Sequence, residues 1–230
     1  MKNKKSLLFI EVQVLILLVV FGIYKLYQLE EKVHETNIFV HKSIVDKSLE
    51  QVKQVKQDDI LIGDKDAPIT ILLYTSFNCS ACNVFYQDIY PKLIDTYVQN
   101  GTVKIVVRYV FIGGDKQLAL NAAKAAHFAF QNDVYPSFVD QMNMIYPDVS
   151  NGAIEGLVAE YGFDMSIFQT FMADDKFERK LYTIAQEARE AGVVFSPMYF
   201  INDVKLMGSG NWEKIERVIL SELDSESCES

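Results

Sequence analysis

Two continuous apolar runs flank a helical repeat in the middle of the chain. Residues 69–75 (ITILLYT) and 101–112 (GTVKIVVRYVFI) are rich in β-branched and aromatic side chains, which is typical of strands buried on both faces. Between them, from Cys79 onward, apolar residues recur mostly at i, i+4 spacing, so we predict a helix that Pro91 kinks. This order of strand, helix and strand predicts a parallel pair joined by a right-handed crossover.

The next part of the chain is predicted to be almost entirely helical. Apolar periodicity predicts helices over residues 117–132, 135–145, 152–161, 165–172 and 175–191. Gly192 stops the last of them, and "MYFI" and "VKLM" then flank Asn202-Asp203 as a hairpin. Asn211 is a plausible N-cap for a final helix, and we expect residues 225–230 to be a loose tail.

The N-terminus carries a membrane signal. Three lysines within the first five positions precede an apolar stretch at 6–24 that has about the length needed to cross a bilayer. No small-x-small cleavage site follows it, so we read residues 1–26 as an uncleaved signal anchor with the lysines in the cytoplasm. The body of the protein is then expected outside the inner membrane. A cleaved signal, the alternative, would put it in the same compartment.

Residues 27–58 are polar, lack Gly and Pro, and predict a helical stalk. Leu26, Val33 and Val40 recur every seven positions, but Lys47 and Gln54 break the repeat. A solvated spacer and an oligomerising helix both remain open.

Composition narrows the class of protein. Of 230 residues, 50% are hydrophobic, which is enough for a sizeable core. The formal net charge is −9, from 31 acidic and 22 basic residues, which argues against a nucleic-acid partner because phosphates require a basic face.

Two of the three cysteines form a C-x-x-C motif at the start of the first helix. A bridge between Cys79 and Cys82 closes too small a loop to stabilise much, so the motif indicates chemistry rather than a staple. The helix N-terminus favours an anion and should lower the pKa of Cys79. Cys82 lies one turn further in, and we expect it to be more buried and less reactive. Cys228 is expected to be a bystander.

The two thiols have possible roles other than redox chemistry. They could be ordinary core thiols or half of a zinc site, but there is no second cysteine pair, and His34, His41 and His127 lack ligand spacing, so we predict no metal. A Cu(I)-handling protein stays open because soft thiolates prefer Cu(I). The scattered Met142, Met144, Met198 and Met207 are read as core fillers, although Met198 could line the site. Phe77, Phe85 and Tyr86 are read as core rather than substrate groove.

The stretches "GDKDAPITILLYTSFNCSACNVFYQDIYPKL" and "AGVVFSPMYFIND" together resemble the DsbA-like thiol–disulfide oxidoreductases of the thioredoxin superfamily. The resemblance implies an α/β thioredoxin fold from residues 59–112 and 193–224, with an inserted helical domain at 113–192. It also implies that Cys79 is the nucleophile and Cys82 the resolving thiol. Ser196-Pro197 fits the family's cis-proline loop, where Ser196 would bind the extended substrate chain.

The chain departs from the family at two places. Ser80 and Ala81 fill the middle of the motif, where strongly oxidising members carry a histidine, so only these residues and the helix end can tune the thiolate. We therefore expect a milder oxidant. Many relatives also bury an acid six residues before the first cysteine, where this chain has Leu73.

The resemblance implies a membrane-anchored envelope enzyme that introduces disulfides into translocated proteins. It would need no cofactor besides its own Cys79–Cys82 disulfide, and a membrane partner would reoxidise it. A disulfide isomerase or reductase of the same fold is the nearest alternative, and a dimer or trimer formed through the stalk would favour an isomerase.

Overall fold

The computed structural model describes residues 21–30, 32, 50, 53–56 and 59–229, with side chains described as far as residue 225. The chain divides into two units, Met1–Lys47 and Ser48–Ser230. In the first unit, residues 21–30 are helical. Most of the predicted signal anchor and stalk lies outside the described residues. Within the described ranges, no helix is both long and apolar enough to span a bilayer.

A five-stranded mixed sheet forms the centre of the second unit. Its strands are β1 (Ile60–Ile62), β2 (Ile69–Thr75), β3 (Val103–Tyr109), β4 (Met198–Ile201) and β5 (Val204–Met207). Their order across the sheet is β1-β3-β2-β4-β5. β2 and β3 run parallel, as predicted, while β1, β4 and β5 pair antiparallel with their neighbours. The thioredoxin-like α/β fold expected from the sequence is confirmed.

The crossover from β2 to β3 is helical and broken in the middle. A single residue, Ile89, separates α1 (Ser80–Asp88) from α2 (Tyr90–Leu93). Pro91 lies in the first turn of α2. A π-helical turn, Ile94–Val98, follows. Because proline lacks the N–H that an unbroken helix would need at this position, the interruption falls where the sequence predicted a kink.

Five helices lie between β3 and β4. They are α3 (Lys116–Gln131), α4 (Tyr135–Met144), α5 (Asn151–Glu160), α6 (Met165–Met172) and α7 (Asp175–Glu190). Helix α8 (Trp212–Glu229) closes the chain, and its Lys214 N–H donates to Asn211 Oδ1 at 3.0 Å, which makes Asn211 the predicted cap. The helix continues through residues 225–229, where the sequence analysis expected a loose tail. The Cys228 side chain lies outside the described residues.

The sheet separates two apolar clusters of unequal size. The larger contains Ile71, Leu73 and Phe85 together with the buried faces of α3 and α4. The smaller, on the other face, contains Tyr74 and Met198. Alternation along each strand places successive side chains in different clusters. The site described below lies where β2 leaves the sheet.

The residues before β1 are fixed to the sheet by charge. Arg108 of β3 is buried and donates to both carboxylate oxygens of Asp59, at 2.8 and 2.5 Å, and to the Gln54 carbonyl at 2.8 Å. Lys56 pairs with Glu187 of α7. The sequence does not predict β1, because three apolar residues between Asp59 and Gly63 are too few to show a pattern.

Candidate active site

Cys79 occupies the N-cap of α1, directly after the loop that leaves β2. Its backbone is extended, with φ −120° and ψ 117°, and its side chain accepts a hydrogen bond from the Cys82 N–H at 3.3 Å. A helix N-terminus leaves backbone donors without intrahelical partners, and here the Cys79 sulfur takes the place of the usual oxygen acceptor. Cys79 is half-buried, whereas Cys82 is buried.

Several hydrogen bonds favour the thiolate of Cys79. The strongest comes from the Cys82 thiol, and the Ser196 side chain and the N–H groups of Cys82 and Ala81 add to it. Partial burial works in the opposite direction. Together these contacts lower the pKa of Cys79 to about 5, so the group is a thiolate at neutral pH. Of the two residues predicted to tune the thiolate, Ala81 contributes through its N–H, and Ser80 is exposed at the first helical position.

Cys82 has the opposite environment. It lies on the buried side of α1 and has no exposed surface. Burial, the hydrogen bond it donates to Cys79 and repulsion from the Cys79 charge all raise its pKa far above the usual range. The side chains of Ser196 and Thr75 act in the opposite direction and favour the thiolate. Both cysteines are free thiols in this structure.

The Ser196-Pro197 loop lies across from Cys79. The peptide bond between the two residues is cis, and the Cys79 sulfur lies 3.3 Å from the Ser196 carbonyl oxygen, to which it donates a hydrogen bond when it is protonated. The Pro197 carbonyl accepts from the Gly208 N–H at 2.9 Å, which fixes the loop to the hairpin that follows. The structure therefore brings together Cys79, Cys82, Ser196 and Pro197, the four residues predicted to form the site.

Ser76, Asn78 and Asp115 form a polar network beside the C-x-x-C motif, which the sequence did not predict. The Ser76 hydroxyl donates to Asn78 Oδ1 at 2.6 Å, and Asn78 Nδ2 donates to the Asp115 carbonyl at 2.9 Å. Gly114 has φ +55°, and a Cβ there would lie 2.9 Å from Asn78 Nδ2, so glycine is needed for this approach. An asparagine beside a C-x-x-C motif is a signal for such a turn contact.

Other candidate residues belong to the core. Phe77, Phe85 and Tyr86 are buried in the larger cluster, as expected. Met198, which the sequence analysis considered for the site, is fully buried in the smaller cluster. His127 is buried and forms edge-to-face contacts with aromatic rings, while His34 and His41 lie outside the described residues. No group of three or more metal-ligating side chains is found in the part of the chain that the structure describes.

Two thiols of opposite character within one helical turn can exchange with an external disulfide or thiol. The accessible thiolate can attack or be attacked, and the buried thiol can close or open the second bond.

Comparison with known proteins agrees with this chemistry. A family model described as thioredoxin matches residues 55–220. The disulfide bond formation protein D of Bacillus subtilis is 21% identical over 170 residues, which cover 71% of this chain and 76% of that protein. The crystal structure of oxidised BdbD from Bacillus subtilis has a TM-score of 0.66 and 20% identity and covers 73% of this chain and 94% of that one. The α-DsbA1 structure of Wolbachia pipientis has a TM-score of 0.68 and 21% identity over 79% of this chain and 98% of that one.

Because the thioredoxin model covers well over half of the chain, and because the C-x-x-C motif occupies the helix start of that fold, the chain belongs to the thioredoxin family and is a DsbA-like thiol–disulfide oxidoreductase.

Proposed function

We propose that this enzyme introduces disulfide bonds into proteins outside the cytoplasm, using Cys79 and Cys82 as its redox couple. The observation that carries the proposal is the contrast between the two thiols. The pKa of Cys79 is lowered to about 5, which stabilises the reduced enzyme and makes its disulfide a better oxidant. The relatives named for disulfide bond formation support the same direction of electron flow.

The proposed reaction has two exchanges. A substrate thiolate attacks the Cys79 sulfur of the oxidised enzyme, the Cys79–Cys82 bond breaks, and Cys82 leaves as a thiolate that takes up a proton. A second substrate thiolate then attacks the substrate sulfur of the mixed disulfide and expels the Cys79 thiolate. The substrate loses two electrons and two protons, and the enzyme holds both thiols reduced until a membrane partner reoxidises it.

The loop around Ser196 is proposed to hold the substrate chain during this exchange. The Ser196 carbonyl oxygen lies 3.3 Å from the Cys79 sulfur. An extended peptide beside the loop would therefore present its own sulfur to Cys79. The apolar stretch at 6–24 is proposed to anchor the protein in the inner membrane, with the catalytic domain outside.

The oxidant is proposed to be milder than the strongest members of the family. A Cys79 pKa of about 5 lies between the roughly 3.5 of a strongly oxidising site and the roughly 7 of a reducing one. No histidine stands between the cysteines to stabilise the thiolate further.

The test is the reduction potential of the couple. The full chain carrying Cys228→Ser would be equilibrated in glutathione buffers, and its thiols would be counted by alkylation and mass spectrometry. A potential between roughly −130 and −200 mV is expected. A value near about −270 mV would indicate a reductase and overturn the proposed direction, and one near about −120 mV would overturn the milder potential.

A second assay separates oxidase from isomerase. Oxidised enzyme is mixed with a reduced, unfolded protein that has two cysteines, and loss of substrate thiols is followed. An oxidase transfers one disulfide per molecule of enzyme. Faster repair of a scrambled disulfide than formation of a new one would favour the isomerase.

A further inference from the structure

Cys82 carries a negative charge twice in each catalytic cycle, although it is buried. It leaves as a thiolate when a substrate opens the disulfide, and it must lose its proton again before it can close the bond to Cys79. The surroundings oppose this charge, because burial and the neighbouring Cys79 raise its pKa. Some group near its sulfur therefore has to stabilise the transient anion.

Thr75 is the last residue of β2, and its side chain is 1% exposed. Its carbonyl accepts from the Val110 N–H at 2.9 Å, so the backbone is held in place. Its hydroxyl, by contrast, has no well-formed hydrogen bond to any other group in the described part of the chain. A buried hydroxyl without a partner is costly, and such groups are uncommon in folded proteins.

Alternation along β2 places the Thr75 side chain on the same face of the sheet as Leu73, which packs with Phe85 of α1 in the larger apolar cluster. Cys82 is also on the buried side of α1, and the Thr75 side chain favours its thiolate. A hydroxyl has one donor hydrogen that rotates to suit its acceptor. A neutral thiol accepts such a bond weakly, while a thiolate accepts it strongly. The Thr75 hydroxyl therefore has no strong acceptor while Cys82 is a neutral thiol. It gains one when Cys82 becomes a thiolate.

The other groups near Cys82 are apolar, oppose its charge or act on Cys79 as well. Leu73, two residues before Thr75 on the same strand, is wholly buried in the apolar core. The titratable neighbours from α1 are Cys79 and Tyr86. Cys79 repels a second negative charge, and burial raises the pKa of Tyr86 well above its ordinary value. Ser196 also favours the Cys82 thiolate, at least as strongly as Thr75, but it acts on the Cys79 thiolate too, so its removal would not isolate the effect on Cys82.

We propose that Thr75 is a positioning residue whose hydroxyl donates a hydrogen bond to the Cys82 thiolate whenever that anion forms. It stabilises the leaving group when the disulfide opens and the attacking group when it closes. The inference rests on the two-thiol exchange of the proposed function but not on its direction. The proton itself is exchanged with solvent or substrate, and the threonine stays neutral.

The test separates the two steps of oxidation by glutathione disulfide, using the full chain with Cys228→Ser. In the first step, the Cys79 thiolate attacks glutathione disulfide, giving a mixed disulfide and one glutathione thiolate. In the second step, Cys82 attacks the Cys79 sulfur and expels the second glutathione. Acid quenching and mass spectrometry resolve the reduced, mixed and closed species over a range of pH.

Thr75→Val removes the hydroxyl and keeps the shape. We expect the second step to slow by about tenfold, so that mixed disulfide accumulates, because a hydrogen bond to a charged group is lost. The pH midpoint of that step should move upward while the first step keeps its rate. Thr75→Ser keeps the hydroxyl and should close at close to the original rate. Thr70→Val, on the same strand, is the matched control and should change neither step.

Closure of Thr75→Val within about twofold of the parent rate would overturn the proposal. Closure of Thr75→Ser as slow as that of the valine variant would also overturn it, because packing rather than the hydroxyl would then be responsible. Thermal unfolding of each variant in the oxidised state checks that it is folded, and Thr75→Ala, which should also close slowly, replaces the valine variant if that one does not fold. A reducing potential would refute the proposed direction of electron flow and leave this comparison of closure rates interpretable.

Discussion

The N-terminus of α1 and the N-termini of three inserted helices are capped in the same way but behave differently. Helices α3, α6 and α7 are capped by Asp115, Asp164 and Asp174, whose carboxylates accept N–H bonds from the first turn. Helix α1 is capped by the Cys79 sulfur, which accepts the equivalent N–H bond from Cys82. In each case the cap receives donors that the helix cannot use itself.

The same interactions have different consequences because the capping groups have different ordinary pKa values. Backbone N–H bonds lower the pKa of Asp174, but a carboxylate is already ionised at neutral pH, so the bonds only stabilise the helix. A free thiol is mostly protonated at pH 7. The hydrogen bond from the Cys82 thiol is the largest cause that lowers the pKa of Cys79 to about 5, and Ser196 and the backbone N–H bonds of the cap add to it. Capping at α1 therefore contributes to a reactive thiolate, with the Cys82 thiol as the larger cause, in addition to starting the helix.

The largest predicted effect comes from giving α1 the cap of the other helices. In Cys79→Asp, thiol–disulfide exchange should fall to the rate measured without enzyme, because the nucleophile is gone. The carboxylate should still cap the helix, so the free energy of unfolding should exceed that of Cys79→Ala by up to about 1 kcal/mol. Turnover of a fluorescent disulfide peptide and denaturant unfolding measure the two quantities. Residual exchange in the aspartate variant would show that another thiol can act.

The pH dependence of Cys79 should come next in size. Its alkylation rate in the reduced enzyme should rise about tenfold between pH 4 and pH 7, with a midpoint near 5. Because the folded-state pKa is depressed, the stabilisation that the thiolate gives the reduced protein is present above the unfolded pKa. It is lost as pH falls through about 5. Mass spectrometry after iodoacetamide pulses assigns the reacting cysteine. A midpoint near about 8.5, the value of a free cysteine, would contradict the assignment of Cys79 as an activated cap.

Removal of the Ser196 hydroxyl should have a smaller effect. Ser196→Ala should move the Cys79 midpoint above 5 and slow alkylation at pH 5 by about threefold, since one of several hydrogen bonds to a partly solvated thiolate is lost. Ser80→Ala is the comparison, because Ser80 is an exposed serine next to the same cysteine. Thiolate absorbance near 240 nm reports the titration. An equal shift in both variants would mean that Ser196 has no special role.

The smallest effect is expected at an ordinary cap. Asp115 Oδ1 accepts from the N–H groups of Gln117 and Leu118 at 2.9 and 3.0 Å. Asp115→Ala should lower the free energy of unfolding by about 1 kcal/mol and leave the Cys79 titration unchanged. Asp148→Ala, which removes another exposed carboxylate, should cost less. A displaced Cys79 midpoint in the Asp115 variant would show that the loop holding Asn78 had moved.

The periodicity of apolar residues correctly predicted the helices of the insertion. The helix predicted over residues 165–172 is found at Met165–Met172, and its neighbours agree to within one or two residues at each end. Helical periodicity and caps are short-range features, so the sequence carries them directly. Strand β1 was missed because three residues cannot show a pattern, and it exists only because it pairs with β3 at the edge of the sheet.

The sequence by itself determined the spacing of Cys79 and Cys82, the helix that begins between them and the proline that follows far along the chain. These follow from residue types a few positions apart, where backbone geometry decides the outcome. Only the tertiary structure decided that the Ser196 carbonyl would lie 3.3 Å from the Cys79 sulfur and that Cys82 and the Thr75 side chain would both be buried. Packing of the sheet against α1 sets that distance and the burial of each thiol, and because a pKa depends on both, the unequal reactivity of the two cysteines is a property of the fold.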